Sequence, residues 1–128
     1  MKIGALKEIF SGEQRVALTP ESAAQLQKLG HDCILEKGAG ISAGFSDAQY
    51  KAVGVAIAAT AAALTKTSDV IVKVRPPSDA ELKRLSASKT LISFFYPGAN
   101  AALMELAQSK GANVIAMDMV PRISRAQK

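Results

Sequence analysis

Short apolar runs alternate along this chain with stretches whose apolar positions recur at helical spacing, a pattern that predicts repeated strand–helix units. The first run extends from Lys2 towards Glu8 and carries Ile3, Ala5 and Leu6. Thr19-Pro20-Glu21 then opens a helix. The threonine can cap it, proline suits the first turn, and the glutamate faces the positive end of the helix dipole. This helix is expected to bury Ala24, Leu26 and Leu29 and to end at Gly30. Cys33-Ile34-Leu35 reads as the next strand, closed by a Gly38-Ala39-Gly40 loop.

Ser46-Asp47 caps a short helix with Ala48, Tyr50 and Val53, ended by Gly54. Residues 55–58 form a weak strand pattern, and residues 60–66 an alanine-rich helix. Val70-Ile71-Val72-Lys73-Val74 is the clearest buried strand, because β-branched residues fill every position but Lys73. Pro76-Pro77 breaks it, and Ser78-Asp79-Ala80-Glu81 is a capping box that starts another helix. A strand at residues 91–95, a helix at 100–110 with Leu103, Leu106 and Ala107 on one face, and a strand at 114–117 complete the series.

This order implies an α/β fold: a three-layer α/β/α domain with a mainly parallel sheet, flavodoxin-like or Rossmann-like. Ligands on such folds sit at the carboxyl ends of strands. Those ends fall near residues 8–15, 37–45, 75–77, 96–100 and 118–122.

Composition narrows the function. With 128 residues the chain is one domain in size, too short for a dehydrogenase with its own complete cofactor domain. Trp is absent and alanine occurs 23 times, which favours closely packed helices and argues against a base-stacking surface. The formal charge is +5, but the basic residues are scattered except over residues 122–128, so nucleic acid is not expected as a partner. Cys33 is the only cysteine, which excludes an intrachain disulfide and suits a reducing, cytoplasmic compartment. The longest uncharged runs, residues 52–65 and 90–104, are shorter than the roughly 20 residues that span a bilayer, so a soluble chain is expected.

Several residues could carry chemistry. Gly38-Ala39-Gly40-Ile41-Ser42-Ala43 fits G-x-G-x-x-A, but the next helix cap comes only at Ser46, so a tight loop is expected instead of a pyrophosphate cradle. His31 and Cys33, each the only one of its kind, cannot supply a metal site, and none is expected. Arg15 could hold a carboxylate through two parallel hydrogen bonds, or pin its own loop through Glu13 or Glu8. Lys73, unusual in an apolar strand, should reach a carboxylate or a strand-end cavity. Arg122, Ser124, Arg125 and Gln127 form a dense donor set that composition alone would read as a solvated basic tail.

Specific blocks of the chain resemble one family. They are Lys2-Ile3-Gly4, Gly12-Glu13-Gln14-Arg15-Val16-Ala17-Leu18-Thr19-Pro20, Glu36-Lys37-Gly38-Ala39-Gly40, Asp69-Val70-Ile71-Val72-Lys73-Val74 and the stretch from Met117 to Gln127. Together they resemble the start of the alanine dehydrogenase and pyridine nucleotide transhydrogenase family. Its alanine dehydrogenases hold pyruvate with an arginine, a lysine and a histidine, whose positions fall on Arg15, Arg75 and Tyr96 here. Arginine stays protonated and a phenol does not replace imidazole near neutral pH, so the last two positions cannot do that chemistry. Arg15, Arg75 and Tyr96 are therefore expected to be the remnant of a substrate pocket. The block from Arg122 to Gln127 likewise resembles the alpha subunits of the proton-translocating transhydrogenase branch.

What the resemblance implies is an enzyme part. In that branch NADH gives a hydride to NADP bound on a separate domain, coupled to proton translocation. The family's nicotinamide-contacting residues map onto Arg122, which would orient the nicotinamide, and Gln127, which would position the cofactor at the hydride-transfer site. Implied partners are the Rossmann subdomain of the same subunit, an NADP-binding beta subunit and a membrane domain, with a homodimer on the cytoplasmic side of the inner membrane. Residues 1–128 would be a single N-terminal subdomain lacking the Rossmann half, and inactive alone. Alternatives are an alanine dehydrogenase-like oxidoreductase fragment and a non-enzymatic α/β interaction module.

Overall fold

The fold is seen in a computed structural model that describes residues 1–94, 105, 106, 109 and 111–117. Strand β1 is Lys2–Ala5, β2 Asp32–Glu36, β3 Ala56–Ala58, β4 Val70–Val72, β5 Thr90–Ser93 and β6 Asn113–Ala116. Helix α1 is Pro20–Lys28, α2 Asp47–Ala52, α3 Ala61–Thr67 and α4 Asp79–Lys83, with a 3-10 turn at Ile41–Ala43. Glu105, Leu106 and Ser109 are helical, whereas Leu103, Ala107 and most of that expected helix lie outside the described residues.

Local chemistry accounts for the helix starts. Thr19 Oγ1 accepts from the Ser22 N–H at 3.1 Å while Ser22 Oγ accepts from the Thr19 N–H at 2.9 Å, with Pro20 in the first turn. Ser46 with Gln49, and Ser78 with Glu81, form the same reciprocal box. Gly30, at φ 95°, takes the left-handed turn that ends α1 and leads into β2. The buried face of α1 differs from the sequence expectation. Ala23 is fully buried, Ala24 only partly, and Leu29 is 73% exposed. Leu29 stands about 120° round the helix axis from Ala23 at 3.6 residues per turn, so helical periodicity itself places it off the buried face.

The described strands form one parallel sheet in the order β3-β2-β1-β4-β5-β6. Of the two fold types expected, this is the Rossmann order. Neighbouring residues on a strand point to opposite faces, and each face has its own core. On one, Ala5, Cys33 and Leu35 meet Leu18, Ala23 of α1 and Tyr50 of α2. On the other, Ile34, Ile71 and Leu91 meet Leu64 of α3 and Leu82 of α4. Gly4 lies on the second face, where an added Cβ would collide with Ser68 Oγ, so a side chain here would push the end of α3 off the sheet. Pairing continues past β4, since the Lys73 N–H donates to Ile92 O at 3.0 Å and the Phe94 N–H to Val74 O at 3.3 Å.

Candidate functional site

From β1 the chain moves outward through β2 and β3, and then returns to the other side of β1 as β4. The crevice between the carboxyl ends of β1 and β4 is therefore the topological switch point, where open α/β sheets bind ligands. Two segments meet there: the loop after β1, with Glu8, Phe10, Glu13 and Arg15, and the extension of β4, with Lys73 and Arg75.

The loop is shaped by a turn in which the Glu13 N–H donates to Phe10 O at 3.0 Å, with Gly12 at φ 86°. This turn aims the Glu13 carboxylate at both arginines. Arg15 reaches it through Nε and Nη2, each at 2.9 Å, and its own backbone N–H adds a third bond at 2.9 Å. Arg75 Nε donates to Glu13 Oε1 at 2.7 Å, and the Arg75 guanidinium lies 4.3 Å from the centre of the Phe10 ring. The hydrogen bonds from Arg15, with that from Arg75, hold the Glu13 carboxyl well below the usual carboxylate range. Arg15 thus pairs with Glu13, one of the two loop partners expected for it.

Beneath this layer lies a drier one. Lys73 and Glu8 meet at 3.1 Å with side chains only 1% and 3% exposed. Lys73 Nζ also donates to the carbonyl of Arg75 at 2.8 Å and stands 3.7 Å from Glu81 Oε1 at the start of α4. Glu8 accepts from the Val74 N–H at 2.7 Å and the Arg75 N–H at 3.0 Å. Lys73 thus reaches a carboxylate, the first of its two expected destinations.

The structure brings Arg15 and Arg75 together through Glu13; Tyr96, Arg122 and Gln127 lie outside the described residues. Sequence reasoning named Glu13 and Glu8 only as partners for Arg15; it did not identify their pairings with Arg75 and Lys73, or Phe10. Glu8 is 65 residues from Lys73, and Glu13 is 62 from Arg75, so no local spacing signals either pairing.

The Gly38–Gly40 loop is not a phosphate cradle. The Gly38 N–H already donates to Asp47 Oδ1 at 3.0 Å, which places a negative charge where a phosphate would need donors. The space beside Gly40 is filled by Tyr50, whose Cε2 would stand 2.5 Å from an added Cβ. The described residues therefore do not fit a pyrophosphate at this loop. They also contain no group of three His, Cys, Asp or Glu side chains placed to hold a metal ion, and no helix among them is long and apolar enough to cross a membrane.

Switch-point crevice and strand order together define a Rossmann-like α/β domain. Residues 4–128 match the family model described as alanine dehydrogenase/PNT, N-terminal domain, and the chain belongs to that family. It is 63% identical, over its whole length, to NAD(P) transhydrogenase subunit alpha of Cereibacter sphaeroides, of which it covers 24%. It is 41% identical over 120 residues to alanine dehydrogenase of Halomonas elongata, covering 94% of this chain and 32% of that one. Among solved structures, a transhydrogenase from Sinorhizobium meliloti superposes with a TM-score of 0.91 at 35% identity, over 99% of this chain and 38% of that one. The chain thus spans about a quarter of the length of the Cereibacter subunit.

Proposed function

We propose that this chain is the N-terminal part of an NAD(P) transhydrogenase alpha subunit and helps to position NADH for hydride transfer to NADP, coupled to proton translocation. The observation that carries this reading is Arg75. At the position where the related alanine dehydrogenases hold pyruvate with a lysine, this chain has a guanidinium tied to Glu13 and stacked on Phe10. A permanently charged, doubly engaged group is unsuited to the proton traffic of amino-acid chemistry. The higher identity to a transhydrogenase subunit than to an alanine dehydrogenase points the same way.

In this reading the bound nicotinamide supplies the hydride chemistry, and the protein orients it and excludes water. Arg122 orients the nicotinamide end, and Gln127 positions the cofactor at the transfer site. Arg15, Arg75 and Tyr96 are what remains of a substrate pocket. Residues 1–128 act as one α/β domain, and adenine and pyrophosphate recognition lies in the Rossmann subdomain of the complete subunit. NADP is held by the beta subunit, and the assembly is a homodimer on the cytoplasmic side of the inner membrane, joined to a membrane domain.

The test is made in the complete subunit with its NADP-binding partner. Gln127→Asn should slow hydride transfer roughly 10- to 100-fold, the cost of a misplaced reacting group. An unchanged transfer rate and NADH affinity would remove Gln127 from the site. Pyruvate-dependent oxidation of NADH by the wild-type protein would favour the alanine dehydrogenase reading instead.

A further inference from the structure

We propose that Glu8 is the positioning residue of the switch-point crevice: it fixes residue 75 through the main chain and thereby sets where the Arg75 guanidinium meets Glu13 and Phe10. The proposal deepens the functional reading above, because it takes this crevice as the working face of the domain.

Arg75 lies beyond the last residue of β4 and carries a long side chain that loses much rotamer freedom when held in one place. Its backbone is gripped on both sides. The N–H donates to Glu8 Oε1 at 3.0 Å, and the C=O accepts from Lys73 Nζ at 2.8 Å. The preceding N–H, of Val74, donates to Glu8 Oε2 at 2.7 Å. Glu8 and Lys73 bond to each other at 3.1 Å, so one buried ion pair holds both polar groups of residue 75. Beyond it, Pro76 and Pro77 restrict the chain, and Pro77 is fully buried.

A buried ion pair is weak evidence of a stabilising role, because apolar residues of similar volume often serve stability as well. What apolar residues cannot do is accept two consecutive backbone N–H groups while a third donor is held in place. A carboxylate has two oxygens and about four lone-pair sites for that task. Glutamine has one oxygen and an NH2, so in either orientation one of the two N–H groups would face a donor. Glu8→Gln should therefore release residue 75 while changing the volume of the site very little. Glu8 acts on the Arg75 guanidinium through the main chain of residues 74 and 75 and through Lys73.

The experiment uses the complete chain and two signals from residue 75. In the wild type, the Val74 and Arg75 amides should exchange slowly with deuterium, and the Arg75 Nε–Hε resonance should be displaced by the Phe10 ring. In Glu8→Gln, exchange at these two amides should rise roughly 10- to 100-fold, as expected on losing hydrogen bonds to a charged group. The Arg75 resonance should move towards its free position while the amides of Leu35 and Ile71 remain protected. A folded Glu8→Gln protein with both signals unchanged overturns the proposal. So does one whose amides loosen while the Arg75 resonance stays in place. If the variant does not fold, the wild-type amides decide: slow exchange supports the grip, and exchange at the unprotected rate overturns it. None of these signals depends on hydride transfer, so a failed functional assignment and a failed positioning role remain distinguishable.

Discussion

The Tyr50 hydroxyl donates a 2.6 Å hydrogen bond to the carbonyl of Leu18, tying α2 to the segment that carries Arg15 into the crevice. The ring is fully buried, so the hydroxyl has no access to competing water. Tyr50→Phe should leave the Leu18 carbonyl without this donor and cost about 1–3 kcal/mol, read from urea denaturation. Burial, helped by the nearby charge of Asp47, pushes the Tyr50 pKa up to about 12 from a usual 10.0. A phenol whose folded value is raised contributes stability that is fully present below pH 10 and is lost as pH rises towards 12. The wild type should therefore weaken over that window more steeply than Tyr50→Phe.

Acid should act through Glu13. Its depressed value stabilises the fold above the ordinary carboxylate value of 4.5, and that contribution disappears as pH falls below it. Urea midpoints measured from pH 6 down to about pH 3 should decline less in Glu13→Gln than in the wild type. Equal slopes would mean that Arg15 and Arg75 do not hold the carboxylate in solution.

Gly40→Ala should lower stability by about 1–3 kcal/mol through overpacking against Tyr50. Because this glycine makes room for a ring and not for a phosphate, NADH affinity of the complete subunit should not change. An affinity lost at unchanged melting temperature would restore the loop as a cofactor contact.

Cys33 lies buried in β2, where burial and the neighbouring charge of Asp32 raise its thiol pKa. Thiolate is the reactive form, so a disulfide reagent should modify the native protein at least about a thousandfold more slowly than the unfolded chain. Fast native labelling would show that β2 opens locally.

Most of the frame is readable from residues close together in the chain. Thr19-Pro20, Ser46 and Ser78 with Glu81 mark three helix starts, because capping is settled within one turn. Strands at Val70 and Leu91 follow from their apolar runs. Leu29 is exposed because it lies about 120° round the helix from Ala23, off the face that meets the sheet. The site was half legible. Arg15 stood out beside a strand's carboxyl end, Lys73 within an apolar strand, and Arg75 only through the family resemblance. Glu8 and Glu13 were visible only as neighbours of Arg15, since their pairings with Lys73 and Arg75 join residues more than sixty positions apart.

The central position of β1 also has a consequence during synthesis. One side of this strand pairs with Asp32–Leu35, but the other must wait for Val70–Val72. At about 5–20 residues per second, a nascent chain would carry β1 incompletely paired, and Glu8 without Lys73, for several seconds. Substitutions that weaken β4 should therefore reduce yield in the cell more than the stability of the finished fold would suggest, because they lengthen the interval in which the middle of the sheet lacks one neighbour.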